Sequence, residues 1–353
     1  MDLLDSAELP GNRTDFSTVF TRQVLPWLYI VIFVVGVGLN GTAAWIFFRV
    51  PADSALVVYL KNMVVADLLM LFSFPFRAAA NMDADSRHMW MINCRFTSVL
   101  FYFSMYVGML FIGYISLERY VKICQHVPSS TASSFRCSGA SALRFMQSVT
   151  FARVLAVLTW VLLFLSSAPN VVLTTWPAGG RNVTTCIQLK TKLGVRWHQL
   201  SILFTMVLFW VTLLIVAFSY TFIAHRVYKT YRCMRRDSRE VYRKSNRSIF
   251  SILAVFFVCF VPYHVCRVPY TMSQLSPTGF SQEGIFLLRQ IKDGTLFLSA
   301  TNVCLDPLVY FLMCRTFRKS LIRKLSGRRK KRTLSTNQSV SSPLARQEET
   351  RAG

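Results

Sequence analysis

Seven separate apolar runs, each close to the ~20 residues needed to cross a bilayer as α-helix, constrain this chain more than any other feature. They cover residues 27–48, 56–79, 96–115, 151–172, 197–222, 249–272 and 286–313. In lipid every backbone N–H and C=O must be satisfied within the protein, so runs of this length read as helices. A mean hydropathy of +0.40 over 353 residues is too apolar for a soluble protein of this length. The expected fold is all-α: a seven-transmembrane helix bundle over 26–313, after an N-terminal segment at 1–25. The first ten residues are acidic and polar and carry no cleavable-signal pattern, so the first helix is expected to serve as the targeting signal.

Charge orients the bundle. Of 40 Lys and Arg, 28 fall beside the ends that share a side with the C-terminus, nine of them between Arg226 and Arg247 and twelve beyond Met313. With the acids counted, that side carries +22, the opposite side +4 and the bilayer −2, which accounts for the net +24. Basic residues concentrate on the cytosolic side of membrane proteins, so the N-terminus is expected outside and the tail in the cytosol. A charge of this size also suits a nucleic-acid binder. Here the cations sit in short loops beside apolar spans, where anionic inner-leaflet lipid explains them, and no nucleic-acid partner is expected.

Sequons and cysteines agree with that orientation. Among five N-x-S/T sequons, only those at Asn12 and Asn182 fall outside, and these are expected to carry glycan. Of nine cysteines only Cys94 and Cys186 face the oxidising side. A disulfide between them would hold the loop after the fourth helix over the bundle.

Polar residues inside membrane helices are costly and therefore informative. The first helix holds Gly38-Leu-Asn40-Gly41, and the second Leu60-Lys-Asn62 through Ala66-Asp67-Leu68. The third ends in Glu118-Arg119-Tyr120, and the fourth carries Trp160 with Pro169 nine residues on. Phe256-Phe-Val-Cys-Phe260-Val-Pro262 lies in the sixth, and Asn302-Val-Cys-Leu-Asp306-Pro307-Leu-Val-Tyr310 in the seventh. In this order and on these helices the motifs resemble the rhodopsin-like (class A) G-protein-coupled receptors, from about Leu25 to Lys324.

The resemblance implies an extracellular ligand, a heterotrimeric G protein inside, and no enzymatic chemistry or cofactor. Pro262 weakens the sixth helix so that its inner half can swing. Arg119 stands where the opened bundle admits the G protein and changes partners on activation, with Tyr220 and Tyr310 around it. Asp306 replaces the commoner Asn, and Glu118 the commoner Asp. Asp67, Asn302 and Asp306 could hold a sodium ion, although Gly108 stands where a serine ligand is frequent; a hydrogen-bonding hub explains Asp67 equally well. Residues 314–326 read as a short amphipathic eighth helix with Phe317, Leu321 and Leu325 on one face, with Cys314 expected to be unmodified. Residues 327–353 are polar, basic and read as a disordered cytosolic tail. Ser335, Thr336, Ser339, Ser341 and Ser342 are expected targets of receptor kinases, whose phosphates would recruit arrestin.

At the outer ends the helices carry cations. No aspartate for an amine stands in the third helix, where Tyr102 is neutral. His264, Arg267 and Gln274 fall near one face of the sixth helix. Arg77 ends the second, Lys292 opens the seventh, Lys190 follows Cys186, and His198 begins the fifth. Converging donors of this kind suit a phosphate-bearing ligand, with Tyr102 and Tyr270 to stack on a base. Phe101-Tyr-Phe103, Cys259 to His264, Arg267-Val-Pro-Tyr270 and Leu193-Gly-Val-Arg-Trp197-His198 resemble the purinergic nucleotide receptors, above all the group answering ADP and UDP-sugars with its orphan relatives. That group's ligand contacts match Tyr102, Asn170, Lys190, His198, Arg267, Tyr270, Gln274 and Lys292, and coupling to the inhibitory G protein is implied.

Three features depart from the group. Ile202 replaces a polar contact below His198, the second outer disulfide is missing, and residues 124–149 carry an inserted Ser-rich run. The ligand therefore stays open between a nucleotide, a nucleotide sugar and a lysophospholipid. A transporter would show internal repeats and broken helices in paired positions, and a membrane enzyme a cluster of ligands or an activated nucleophile; neither is visible.

Overall fold

All seven apolar runs are helical in the computed structural model, which describes residues 19–82, 87–125, 145–175, 186–233, 239–275, 279, 281–314 and 317–323. A single π-turn, Val19–Val24, leads into α1 (Leu25–Phe47), and α2 spans Ala55–Met82. Three continuous pieces make α3: Arg87–Ile92, a π-turn at Asn93–Thr97, and Ser98–Gln125. α4 is Val149–Val172, α5 Lys192–Cys233 and α6 Arg239–Leu275. α7 has two pieces, Gln282–Ala300 and Asn302–Met313, and a short α8 follows at 317–323. Seven of these helices are long and apolar enough to span a bilayer. The sequons at Asn12 and Asn182, the Ser-rich run, the tail serines and the side chain of Gln274 lie outside the described residues.

The bundle is apolar on both faces, inside by packing and outside by contact with lipid. Met63, Phe111, Phe256 and Leu296 are buried, whereas Val34, Leu158, Phe164 and Leu214 are each more than half exposed. Lipid removes the aqueous drive for helices to associate, so close packing and interhelical hydrogen bonds must do it. A Cβ at Gly36 of α1 would stand 2.5 Å from Leu71 of α2, and one at Gly113 of α3 would stand 2.9 Å from Thr212 of α5. Glycine at these two crossings lets the backbones approach.

Buried polar groups then tie specific helices. The ring of Pro307 cannot donate to the Val303 carbonyl one turn earlier. Asn40 of α1 takes that carbonyl instead, with Nδ2 at 2.6 Å, and also donates to Gly36 O at 3.1 Å. Ser299 of α7 donates to the Cys259 carbonyl of α6 at 2.6 Å, three residues before Pro262, where the ladder is weakened. Trp160 Nε1 donates to Asn62 Oδ1 at 2.8 Å and joins α4 to α2. Below, Phe317 of α8 stacks on Phe47 at 5.1 Å and lies 6.2 Å from Tyr310. Cys314 is buried at the elbow, where its sulfur accepts from Phe317 N.

On the outer side Cys94 and Cys186 form a disulfide across 92 residues of chain. The segment after Cys186 is laid along the end of α4, with Thr175 N donating to Leu189 O and Thr191 N to Leu173 O. Lys190 is thereby held beside Thr174.

Replacing Asn40 by Leu would leave the Val303 carbonyl buried without a donor, at a cost of roughly 1–3 kcal/mol. Purified Asn40→Leu receptor should melt at a lower temperature than wild type, and an unchanged melting curve would contradict the role given to Asn40.

Candidate functional site

Side chains at the outer ends of α2 to α7 turn inward around Tyr102. Tyr102 and Tyr106 lie one turn apart on α3, as do Tyr263 and Arg267 on α6, so each pair shares a face. Arg267 is the centre of the group: its Nη1 donates to Tyr106 OH at 2.7 Å, and its guanidinium stands 5.3 Å over the Tyr102 ring and 5.6 Å over Tyr263. Tyr102 and Tyr263 stack at 6.2 Å. These contacts answer a cation that would otherwise be expensive at this depth.

Beneath this layer lies His264. Its Nδ1 is 2.8 Å from the Phe260 carbonyl, which can only accept, so Nδ1 carries the proton. Nε2 therefore accepts, and the Tyr106 hydroxyl 3.0 Å away donates to it. His264 is fully buried, with Phe209 stacked on its ring at 3.8 Å. Its position in the sequence groups it with the ligand contacts. In the structure both of its nitrogens are engaged, Nδ1 with the Phe260 carbonyl and Nε2 with Tyr106, which in turn accepts from Arg267.

Two further groups of side chains stand beside this cluster. On α7, Lys292 Nζ lies 2.8 Å from Asp293 Oδ1 and 4.8 Å over the Tyr270 ring. On α2, Arg77 stands 4.7 Å over Phe101 and 5.5 Å over Tyr29, with its Nη1 buried and unbonded. Tyr102 is within electrostatic reach of Lys292, Arg77 and Arg267 together, and the acid among them is Asp293. On the opposite side Asn170 gathers two more donors. Its Oδ1 accepts from Lys190 Nζ at 3.4 Å and from His198 Nδ1 at 3.3 Å, while its Nδ2 donates to Ser201 Oγ at 3.1 Å. Lys190 also reaches Thr174 Oγ1 at 3.2 Å, and burial pushes its ammonium down to about 8. His198 feels both Lys190 and Arg267, which joins this wall to the centre. The result is a cluster of several positive groups around Tyr102 with, among the described residues, one fixed negative charge, Asp293.

At the inner end Arg119 is held by its neighbour Glu118 at 3.6 Å and by the Met313 carbonyl of α7, to which Nη2 donates at 3.3 Å. The Tyr220 hydroxyl lies 3.3 Å from Ser116 Oγ, close to Arg119. Tyr120 packs on Phe218 and Phe222 of α5, and Phe260 is buried against Phe256. Midway up, Tyr310 OH donates to Asp67 Oδ2, and Asn302 Nδ2 to Asp306 Oδ2 at 3.3 Å. Among the described residues, Asn40 Oδ1 and Asn302 Oδ1 are buried without a hydrogen-bond partner, and the carboxyl of Asp306 faces that of Asp67. Oxygen donors of this kind fit a hard cation, and at Gly108 nothing lies within 4 Å of where a Cβ would stand.

The chain has counterparts among known proteins. The sequence profile described as 7 transmembrane receptor (rhodopsin family) matches residues 39–310. The chain belongs to the rhodopsin family of seven-transmembrane receptors. Within that family it is 40% identical over 314 residues to purinoceptor 14 of Bos taurus, covering 88% of this chain and 87% of the relative. It is 38% identical over 336 residues to G-protein coupled receptor 87 of Mus musculus, covering 95% and 89%. With purinoceptor 13 of Homo sapiens it shares 35% over 313 residues, covering 88% and 84%. It is thus a rhodopsin-family receptor of the purinoceptor branch: a multi-pass plasma-membrane protein that passes a small-molecule signal to a G protein, and not an enzyme.

Four residues that organise the rhodopsin-family cavity here escape sequence reading. Tyr106 and Tyr263 hold Arg267, and Thr174 and Ser201 hold the Asn170 group. One signal was available: a tyrosine four residues from Tyr102 and another four from Arg267 repeat the spacing that puts side chains on one face. Thr174 and Ser201 carry no such mark, because their partners arrive from a folded loop and a separate helix.

Burial favours the neutral amine, so Lys190 should lose its proton at lower pH than an ordinary lysine. Amine-directed labelling of Lys190 should rise through a midpoint near pH 8. A midpoint in the usual lysine range, about 10.4, would show that the group is solvated instead.

Proposed function

We propose that this receptor answers an extracellular phosphate-bearing agonist, a nucleotide or nucleotide sugar, and signals through an inhibitory G protein. The observation that carries the reading is the excess of cations around Tyr102: Arg267, Lys292 and Arg77 against Asp293 alone among the described residues. A ligand's phosphates would supply the missing negative charge, with the guanidinium fork of Arg267 and the ammonium of Lys292 as their partners. Lys190 and His198 would meet the same group from the other wall, and Gln274 would stand above it. Tyr102 and Tyr270 offer flat faces to a base. Two of the relatives above are named as purinoceptors, which agrees with this ligand class.

In this reading the N-terminus is extracellular, with glycan on Asn12 and Asn182. The segment 314–326 lies on the inner membrane surface, and 327–353 receives kinases and arrestin. A sodium ion between Asp67, Asn302 and Asp306 would steady the resting bundle. Phosphate binding draws the outer ends of α6 and α7 toward α3. Pro262 lets the inner half of α6 respond by moving outward, and Arg119 leaves the Met313 carbonyl for the entering G protein.

Cells expressing the chain should lower cyclic AMP in a pertussis-toxin-sensitive manner when given ADP or UDP-glucose. Removing either charge-assisted contact should cost roughly 1.5–3 kcal/mol, so Arg267→Ala and Lys292→Ala should lose about ten- to a hundredfold in potency at equal surface level. Arg267→Lys should fall between. Arg119→Ala should silence the response while surface expression persists. Unchanged potency in both cation variants, or a response to lysophosphatidic acid alone, would overturn the nucleotide reading; a toxin-insensitive response would overturn the coupling.

A further inference from the structure

A large cavity among the described residues shares none of these cations. It opens on the lipid-facing side between α2, α3 and α4, encloses about 420 Å³, and has an almost wholly apolar lining. That volume lies within the ~300–1,000 Å³ of small-molecule sites. Phe72 and Phe76 of α2, Phe96 and Phe103 of α3, and Phe164 of α4 supply most of the wall. Phe72 and Phe164 are each 61% exposed and Phe96 52%, on helices that cross the bilayer. What meets this surface is therefore lipid.

The rim carries a charge. The π-turn Asn93–Thr97 fits an extra residue into the start of α3 and so turns successive side chains apart. Cys94 points to its disulfide, while Phe96 and Thr97 line the cavity. Arg95 sits between them. Its Nε donates to the Val171 carbonyl at 3.2 Å, and Val171 is itself a wall residue, so the guanidinium is held beside the cavity. It lies 5.3 Å from the Phe96 ring, and its other two nitrogens make no hydrogen bond among the described residues. A guanidinium at the outer membrane interface needs an anionic or polar partner at its own depth, and an apolar groove directly below it needs a chain.

We propose that this groove binds an outer-leaflet phospholipid, with one acyl chain between α2, α3 and α4 and the headgroup phosphate on Arg95. Both halves of that ligand are required by what the site presents. A sterol would fill the groove but offers Arg95 only a hydroxyl, whereas a phosphate takes the guanidinium fork. Leu100 and Phe103 of the wall lie close to Tyr102 on α3, so the bound chain supports the helix that carries the centre of the agonist cavity from behind.

The test uses full-length receptor in phosphatidylcholine nanodiscs containing a trace of phosphatidylcholine with a photoreactive acyl chain, and a parallel set with a photoreactive sterol. After illumination, labelling is mapped on α4, comparing Phe164 to Val171 with the open lipid face at Leu158. Phosphatidylcholine should label the groove strongly. Ala168→Trp, which fills it, should abolish that labelling, and Arg95→Gln should weaken it while Arg95→Lys restores it, with Leu158 labelled equally throughout. If Ala168→Trp does not reach the membrane, the Arg95 pair decides alone. Groove labelling that is indifferent to Arg95→Gln, that survives Ala168→Trp, or that comes from the sterol probe in place of the phospholipid would overturn the proposal.

Discussion

A guanidinium inside the bilayer cannot be left to itself, and the outer half of this receptor is arranged around that constraint. Arg267 donates to Tyr106, is faced by Tyr102 and Tyr263, and rests on a histidine whose two nitrogens are already committed. Hydroxyl and aromatic groups lower the cost of placing the charge there, but none of them cancels it. Arg267 is thereby held in one orientation and remains uncompensated. The same holds for Arg77, whose Nη1 is buried and unbonded between two rings. Among the described residues, only Lys292 of these three cations has a carboxylate of its own, at Asp293. A net positive cluster whose side chains are already held by hydrogen bonds and ring contacts is preorganised for an anion, because part of the ordering cost is met before a ligand arrives.

The inner half follows a parallel logic with the opposite aim. There the costly groups are satisfied by partners that can be exchanged. Arg119 rests on a backbone carbonyl at the end of α7, and Tyr310 on Asp67. Neither contact is covalent or deeply redundant, and each joins two helices. Between the halves, Pro262 and Pro307 each remove a ladder bond; Asn40 takes the Val303 carbonyl that Pro307 frees, and Ser299 bonds the Cys259 carbonyl next to the one that Pro262 frees.

The helices were legible because lipid imposes one requirement on every residue of a span, and a run of twenty apolar residues records it. The cysteine pair was legible by compartment, and Arg267 and Lys292 by their cost. Partner choice was not. Tyr106 and Arg267 are 161 residues apart and Asn40 and Val303 are 263 apart. No local period encodes which polar groups meet across a bundle. His264 shows the consequence: its spacing puts it on the face of Arg267, yet it stops a layer short of the cavity, because it lies one turn deeper and Tyr106 covers it. The π-turn at Asn93–Thr97 was equally hidden, since nothing in those five residues separates a π-turn from an α-turn.

The central claim is that the outer cavity is built to receive phosphate. Ligand that binds the folded receptor raises its melting temperature by an amount that grows with the logarithm of ligand concentration over Kd, independently of any G protein. Purified receptor should therefore be stabilised by pyrophosphate and, more strongly, by ADP or UDP-glucose, and not by adenosine or uridine at the same concentration. That stabilisation should vanish in the Arg267→Ala, Lys292→Ala double variant. Equal stabilisation by the uncharged nucleosides, or a diphosphate effect that survives the double variant, would contradict the account.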